Sequence, residues 1–180
     1  MKVQFKKEID QVAHRQDYNP KPTIEGVNIL PLRRFNDDGG SFTELTRLDN
    51  GISQEIKGFS LAQVNFSEMD PQSVKAFHVH RQQTDIWFVP PGSKVLLVLV
   101  DLRTDSPSNG KLMRLIIGDG NSKLVVIPPG VAHGCKNLGC GKAQLIYFMD
   151  KQFSAQADQC DEWRLPWDHF GADLWEVQKG

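Results

Sequence analysis

The sequence is short of cysteine, of net charge and of long apolar runs, and each shortage excludes a class of protein. Its three cysteines, Cys135, Cys140 and Cys160, cannot all pair, and their spacings match no structural zinc pattern. In a chain without an export signal they read as reduced thiols. A formal net charge of -1 removes the broad attraction that a nucleic-acid binder or a membrane-surface protein would use. No window approaches about 18 apolar residues. The opening MKVQFKKEIDQVAHRQ is basic but has no apolar core for export. The expectation is a cytoplasmic protein with neither nucleic acid nor membrane as partner, whose work is small-molecule chemistry.

What is present is enough for one domain: 180 residues, 39% hydrophobic and 24% charged, can bury a sizeable core but leave no room for a second. Residues 1–23, rich in charge and holding Pro20 and Pro22, read as an N-terminal arm with one short helix around Lys6 to Gln16. From Ile24 to Gly180 the texture is that of a barrel with a C-terminal cap. Short β-branched and aliphatic runs alternate with turn signals: VNILPL before FNDDGG, SLAQVNF before SEMDPQS, DIWFV before PPGS, KVLLVLVDL before RTDSPSNG, LMRLII before GDGNS, KLVVI before PPG, and AQLIYFM before DKQ. Seven or eight strands so spaced predict an all-β sandwich or barrel and leave no room for crossover helices. The stretch DEWRLPWDHFGADLWEVQ predicts a short helical or irregular cap. Trp87, Trp163, Trp167 and Trp175 are expected in packing and lid contacts, and Cys135 as a small buried hydrophobe.

Three of the five histidines carry the chemical signal. His78 and His80 in FHVH are two apart, so on a strand they look to one face. Asp85 follows five residues after His80, and His133 closes PPGVAH with Asn137 four residues on. The two segments resemble the signature motifs of the cupin superfamily, with Asp85 where the acidic ligand is usually Glu and with the leading glycines missing. The resemblance implies a jelly-roll β-barrel. Converging on one cavity, His78, His80, Asp85 and His133 would suit a divalent metal such as Fe, Mn, Ni or Zn.

From Ile24 onward the chain also resembles one cupin branch, the dTDP-4-dehydrorhamnose 3,5-epimerase family. FNDDGGSFTEL, LAQVNFS, VKAFHVH, VDLRTDSPSNG, IPPGVAHG, IYFMDKQF and PWDHFGADLWE occur in family order. The resemblance implies an isomerase that abstracts a proton next to the ketone of a nucleotide-linked 4-keto-6-deoxy sugar, without a cofactor and as a homodimer whose N-terminal segment adds to the partner's sheet. It places the base on His78 and the assisting aspartate on Asp168. Substrate contacts fall on Gln63, Asn65, Lys75, Arg103, His133, Tyr147 and Phe153.

Departures from the family pattern are equally specific. The family's proton-returning tyrosine falls at Phe153, which cannot donate, with Tyr147 in reserve; deuterium exchange is therefore expected to outrun inversion. Gly39 and Lys75 stand where the family has arginines, Asp85 where it has a lysine, and His80 where it has a glutamine. Two readings then compete for His78, since a metal-bound imidazole cannot take a proton through the same nitrogen. In the metal reading Asp168 orients a ligand, and the protein is an oxygenase or isomerase of a small keto compound. A third reading is a sugar- or nucleotide-binding cupin without turnover.

Overall fold

The apolar runs form strands in the computed structural model, which describes residues 3–16, 18–19 and 21–178, and QVNF runs on through SEM before it turns. In chain order the strands are β1 (Asn28–Pro31), β2 (Arg34–Asp37), β3 (Gly40–Thr43), β4 (Leu48–Asp49), β5 (Ile52–Ser53), β6 (Gln63–Met69) and β7 (Val74–Val79). They continue as β8 (Asp85–Phe88), β9 (Lys94–Asp101), β10 (Leu112–Gly118), β11 (Lys123–Ile127), β12 (Val131–Asn137), β13 (Ala143–Met149) and β14 (Trp163–Arg164). The FNDDGG turn joins β2 to β3, with the Gly39 amide donating to Asp37 Oδ1 at 2.8 Å, an aspartate turn.

Two five-stranded antiparallel sheets face each other, in the orders β1-β11-β8-β13-β6 and β10-β9-β12-β7-β14. This is the all-β jelly roll, and among the described residues helical pieces occur only near the ends: α1 (Lys7–Asp10) and a 3₁₀ turn at Ala172–Trp175. The helix is shorter than the Lys6 to Gln16 expectation. It buries no residue, and a single turn gains little without packing.

The main core lies between the sheets, where Val95, Leu97 and Leu99 of β9 meet Trp87, Val125 and Leu145. Burying each such side chain stabilises the fold by roughly 1.5–3 kcal/mol. The run KVLLVLVD does not alternate because β9 is covered on both faces. Leu96, Val98 and Val100 pack outward against Phe77, Trp175 and the partly buried Phe170. The C-terminal segment thus covers the second sheet. Of the four tryptophans, Trp87 and Trp175 are buried as expected, whereas Trp163 and Trp167 are 49% exposed. Trp163 carries the Arg81 guanidinium 4.5 Å above its ring instead.

Gly134 shows how closely the layers approach. A Cβ there would lie 2.3 Å from Ala76 Cβ and 3.1 Å from Trp175, so only glycine lets β12, β7 and the C-terminal segment meet.

Candidate active site

A register shift aims the site. On β12, Cys135 pairs with Lys75 and His133 with His78, so Gly134 alone opposes both Ala76 and Phe77. Strict alternation would send Lys75 and His78 to opposite faces. The bulge instead turns both inward, and both line a cavity of about 220 Å³ between the sheets. Phe77 between them stays on the outer face, fully buried.

His78 projects into this cavity from β7, in one sheet, and Tyr147 from β13, in the other. Burial, with His133, Arg164 and His80 close by, pushes the His78 imidazole down to about 3, leaving its lone pair free at neutral pH. Burial also raises the Tyr147 phenol, with Asp85 and Glu162 adding to the shift and a hydrogen bond from Asn65 opposing it. The phenol therefore holds its proton.

The carboxylate beside His78 is Glu162, whose Oε1 lies 3.5 Å from Nδ1. Expectation placed Asp168 there, and the structure corrects it. β14 pairs Arg164 with His78 and Trp163 with Val79, bringing residues 161–164 against the base. Asp168 lies four residues beyond the strand, exposed, with its carbonyl accepting from the Gly171 amide. Arg164 also holds Glu162, donating through Nε at 2.7 Å, so the carboxylate is shared and does not lift the His78 imidazole.

Asp161, which the sequence reading did not single out, anchors this arrangement. Its carboxylate accepts from the amides of Arg81, Gln82 and Gln83 at 3.0, 2.8 and 2.9 Å. Its main-chain carbonyl lies 2.8 Å from His80 Nδ1. The only signal in the sequence was an acidic pair just before WRLPW.

His80, Asp85 and His133 converge beneath the cavity, all buried, with their ligand atoms within 4.8 Å of one another. Asp85 Oδ2 is 3.3 Å from His133 Nε2 and 3.7 Å from His80 Nε2. Gln83 Nε2 donates to Oδ1 at 2.7 Å and Trp87 Nε1 to Oδ2 at 3.3 Å. Burial acts to raise the Asp85 carboxyl, but His133, His80 and Gln83 outweigh it and hold it below the usual range. His78 stands outside this group: its ring stacks on His133 at 5.8 Å, and its Nδ1 faces Glu162. Of the four residues that the motif resemblance gathered, three therefore converge and His78 stands apart. The donors present, two imidazoles and a carboxylate, fit a first-row divalent metal.

The other expected contacts divide. Gln63 and Asn65 line the cavity, bonded to each other at 2.9 Å. Lys75 lines it too, with Nζ donating to Ser67 Oγ and the Glu68 carbonyl. Phe153 sits at the rim, 58% exposed, its amide donating to Gln63 Oε1. Arg103 is not at the cavity. Its guanidinium donates to both oxygens of the buried Asp101 and to the Glu25 carbonyl, which makes it a structural clamp. Cys135 is buried with its thiol pushed up to about 12 by burial, so it is inert.

The pattern of a family described as dTDP-4-dehydrorhamnose 3,5-epimerase matches residues 21–169. The spore coat polysaccharide biosynthesis protein SpsL of Bacillus subtilis is 39% identical over 145 residues, covering 81% of this chain and 91% of that protein. A solved dTDP sugar isomerase from Desulfovibrio desulfuricans G20 is 29% identical with a TM-score of 0.70, covering 86% of this chain and 91% of that one. A dTDP-4-dehydrorhamnose 3,5-epimerase from Bacillus anthracis, solved with TDP and PPi bound, is 26% identical with a TM-score of 0.69, covering 86% of this chain and 87% of that one.

Proposed function

Because this chain belongs to the dTDP-4-dehydrorhamnose 3,5-epimerase family, a family of sugar-nucleotide isomerases, we propose that it inverts carbon next to the ketone of a nucleotide-linked 4-keto-6-deoxy sugar. His78 is the base, Glu162 positions it, and Tyr147 is the acid. The observation that carries this reading is that His78 and Tyr147 enter one cavity from opposite sheets.

Epimerisation needs a proton removed from one face of a carbon and another delivered to its opposite face. The neutral His78 ring takes the proton as the C–H bond breaks, and the electron pair moves onto the ketone oxygen as an enolate. Tyr147 then supplies its O–H proton to the other face of that carbon as the ketone re-forms. Solvent returns the phenolate and the imidazolium to their starting states. The amides of Gln63 and Asn65 are the polar groups available to the sugar, and Lys75 and Arg164 are the cations available to a diphosphate. Phe153 at the rim offers a ring face rather than a proton.

We further propose that the protein acts as a homodimer in the cytoplasm, with residues 1–23 as an arm reaching a partner's sheet. The arm carries the exposed Val3, Phe5, Ile9 and Val12, and β10 and β1 are sheet edges that pairing would protect. All three cysteines are free, as a reducing compartment requires. Among the described residues no helix is long and apolar enough to cross a membrane.

The test is proton NMR of dTDP-4-keto-6-deoxyglucose with the protein in D₂O. The expected result is deuterium appearing next to the ketone together with inverted product, both abolished in His78→Asn. An inert wild-type protein, or a fully active His78→Asn variant, defeats the proposal.

A further inference from the structure

We propose that His80, Asp85 and His133 form a binding site for one first-row divalent cation, distinct from the proton-transferring pair.

The argument starts from which ring nitrogens are already engaged. Nδ1 of His80 lies 2.8 Å from the Asp161 carbonyl and Nδ1 of His133 lies 3.1 Å from the Val131 carbonyl. A carbonyl can only accept, so each ring carries its proton on Nδ1 and, when neutral, presents a bare lone pair at Nε2. Both Nε2 atoms face the same carboxylate oxygen, at 3.7 and 3.3 Å. Three lone-pair donors thus meet in a buried space, where their mutual repulsion is poorly screened. His133 Nε2 has no hydrogen-bond partner, and His80 Nε2 has only the Gln83 amide at 3.4 Å. The arrangement calls for a shared cation.

One proton between His133 and Asp85 relieves a single contact and leaves His80 aimed at the carboxylate. A metal ion engages all three at once. The surroundings are those of a ligand set held in place: main-chain carbonyls fix both imidazoles, and Gln83 and Trp87 donate to Asp85. Ligating histidines are typically oriented in this way through the ring nitrogen that does not bind the metal. Two imidazoles with one carboxylate favour zinc, iron, nickel or manganese over magnesium or calcium, which prefer all-oxygen sites. Three protein ligands leave positions open on the cavity side.

A cation here also changes the pocket's charge. Asp85, Asp161 and Glu162 line the cavity against Lys75 and Arg164, an unfavourable balance for the anionic substrate of the proposed function, on which this last point alone rests. A divalent ion reverses the balance without a further basic side chain.

The experiment is elemental analysis of protein purified without added metal or chelator. Calorimetric titration of chelator-treated protein with Zn²⁺ follows, and with Co²⁺, whose visible absorption reports its ligands. One metal per chain is expected, with binding weakened by about 100-fold or more in His80→Gln and Asp85→Asn. His80→Gln removes one ligand nitrogen while keeping a polar side chain, and its thermal melt checks that the fold is kept. Wild-type protein that neither retains nor takes up metal overturns the proposal. So does uptake unchanged in both variants, or histidine NMR showing a doubly protonated His133 ring in protein that binds no Zn²⁺. Because the readout is binding, failure here is separable from failure of the epimerase reading, which the deuterium experiment tests.

Discussion

Replacing Tyr147 by phenylalanine removes a single oxygen from the cavity, and the structure assigns that atom two contributions of different size. The ring is half-buried on β13, 6.2 Å from the Trp87 ring, and those contacts survive the change. What is lost structurally is one polar contact with Asn65, worth at most about 1 kcal/mol net. What is lost catalytically is the proton donor on the face opposite His78. General acid catalysis contributes about 100- to 10,000-fold, roughly 3–5 kcal/mol of barrier. The variant should therefore melt within a few degrees of wild type while forming inverted product slower by at least about 100-fold. Deuterium exchange catalysed by His78 should fall far less, since it requires only removal and return on one face. The assay is a time course in D₂O that follows label and stereochemistry in the same NMR spectra. Inversion by Tyr147→Phe at the wild-type rate would refute the assignment and leave the role to a bound water. A parallel loss of exchange and inversion would show that the phenol acts before the proton is removed.

Glu162→Gln should lower kcat tenfold or more, about 1.4 kcal/mol of barrier, with KM little changed, and Glu162→Asp should recover part of the loss; a change in KM alone would argue against a positioning role. Asp101→Asn should destabilise the fold by about 3 kcal/mol in denaturant titration, because Arg103, Ser106 and Ser108 all donate to this buried carboxylate. Arg103 first, then Ser106 and Ser108, hold the Asp101 carboxyl well below the usual range. That stability is fully present above the ordinary carboxylate value of 3.8 and drains away as pH falls below it, in wild type and not in the variant. Gly134→Ala should cost about 1–3 kcal/mol or more, seen as a lower melting temperature, since its Cβ meets Ala76 at 2.3 Å; an unchanged melt would show that β7 and β12 can part freely.

How far the sequence reveals all this depends on whether a property is local. Strand runs and their turns depend on neighbours in the chain, so β8, β9, β11 and β13 were legible from composition and punctuation. The convergence of His80, Asp85 and His133 was implied by the resemblance to two cupin motifs, which also gathered in His78, and His78 stands apart. The partner of His78 was not. Choosing between Glu162 and Asp168 requires knowing which residues of the last segment pair with β7, and that is decided by Asp161 gripping amides 80 positions earlier. Lys75 and Tyr147 were offered by the family resemblance, and strand parity alone could not derive their placement. Lys75 shares a wall with His78 only through the register shift opposite His133. Tyr147 faces the cavity because it pairs with Trp87 and Asn65, a register that sequence order alone does not supply. Arg103 was offered as a substrate contact, while the clamp around it depends on Glu25 and Asp101 closing from two sides.

Asp161 has a consequence for anyone recombining this protein with its relatives. Its carboxylate seats the 81–83 loop, its carbonyl orients His80, and the next residue faces His78. A chimera that exchanges the C-terminal segment at Cys160 while keeping the native 81–83 loop would split one mechanical unit between two parents. Crossover points should therefore be chosen in pairs, so that the loop and the segment travel together as a cassette, even though some 80 residues of chain separate them.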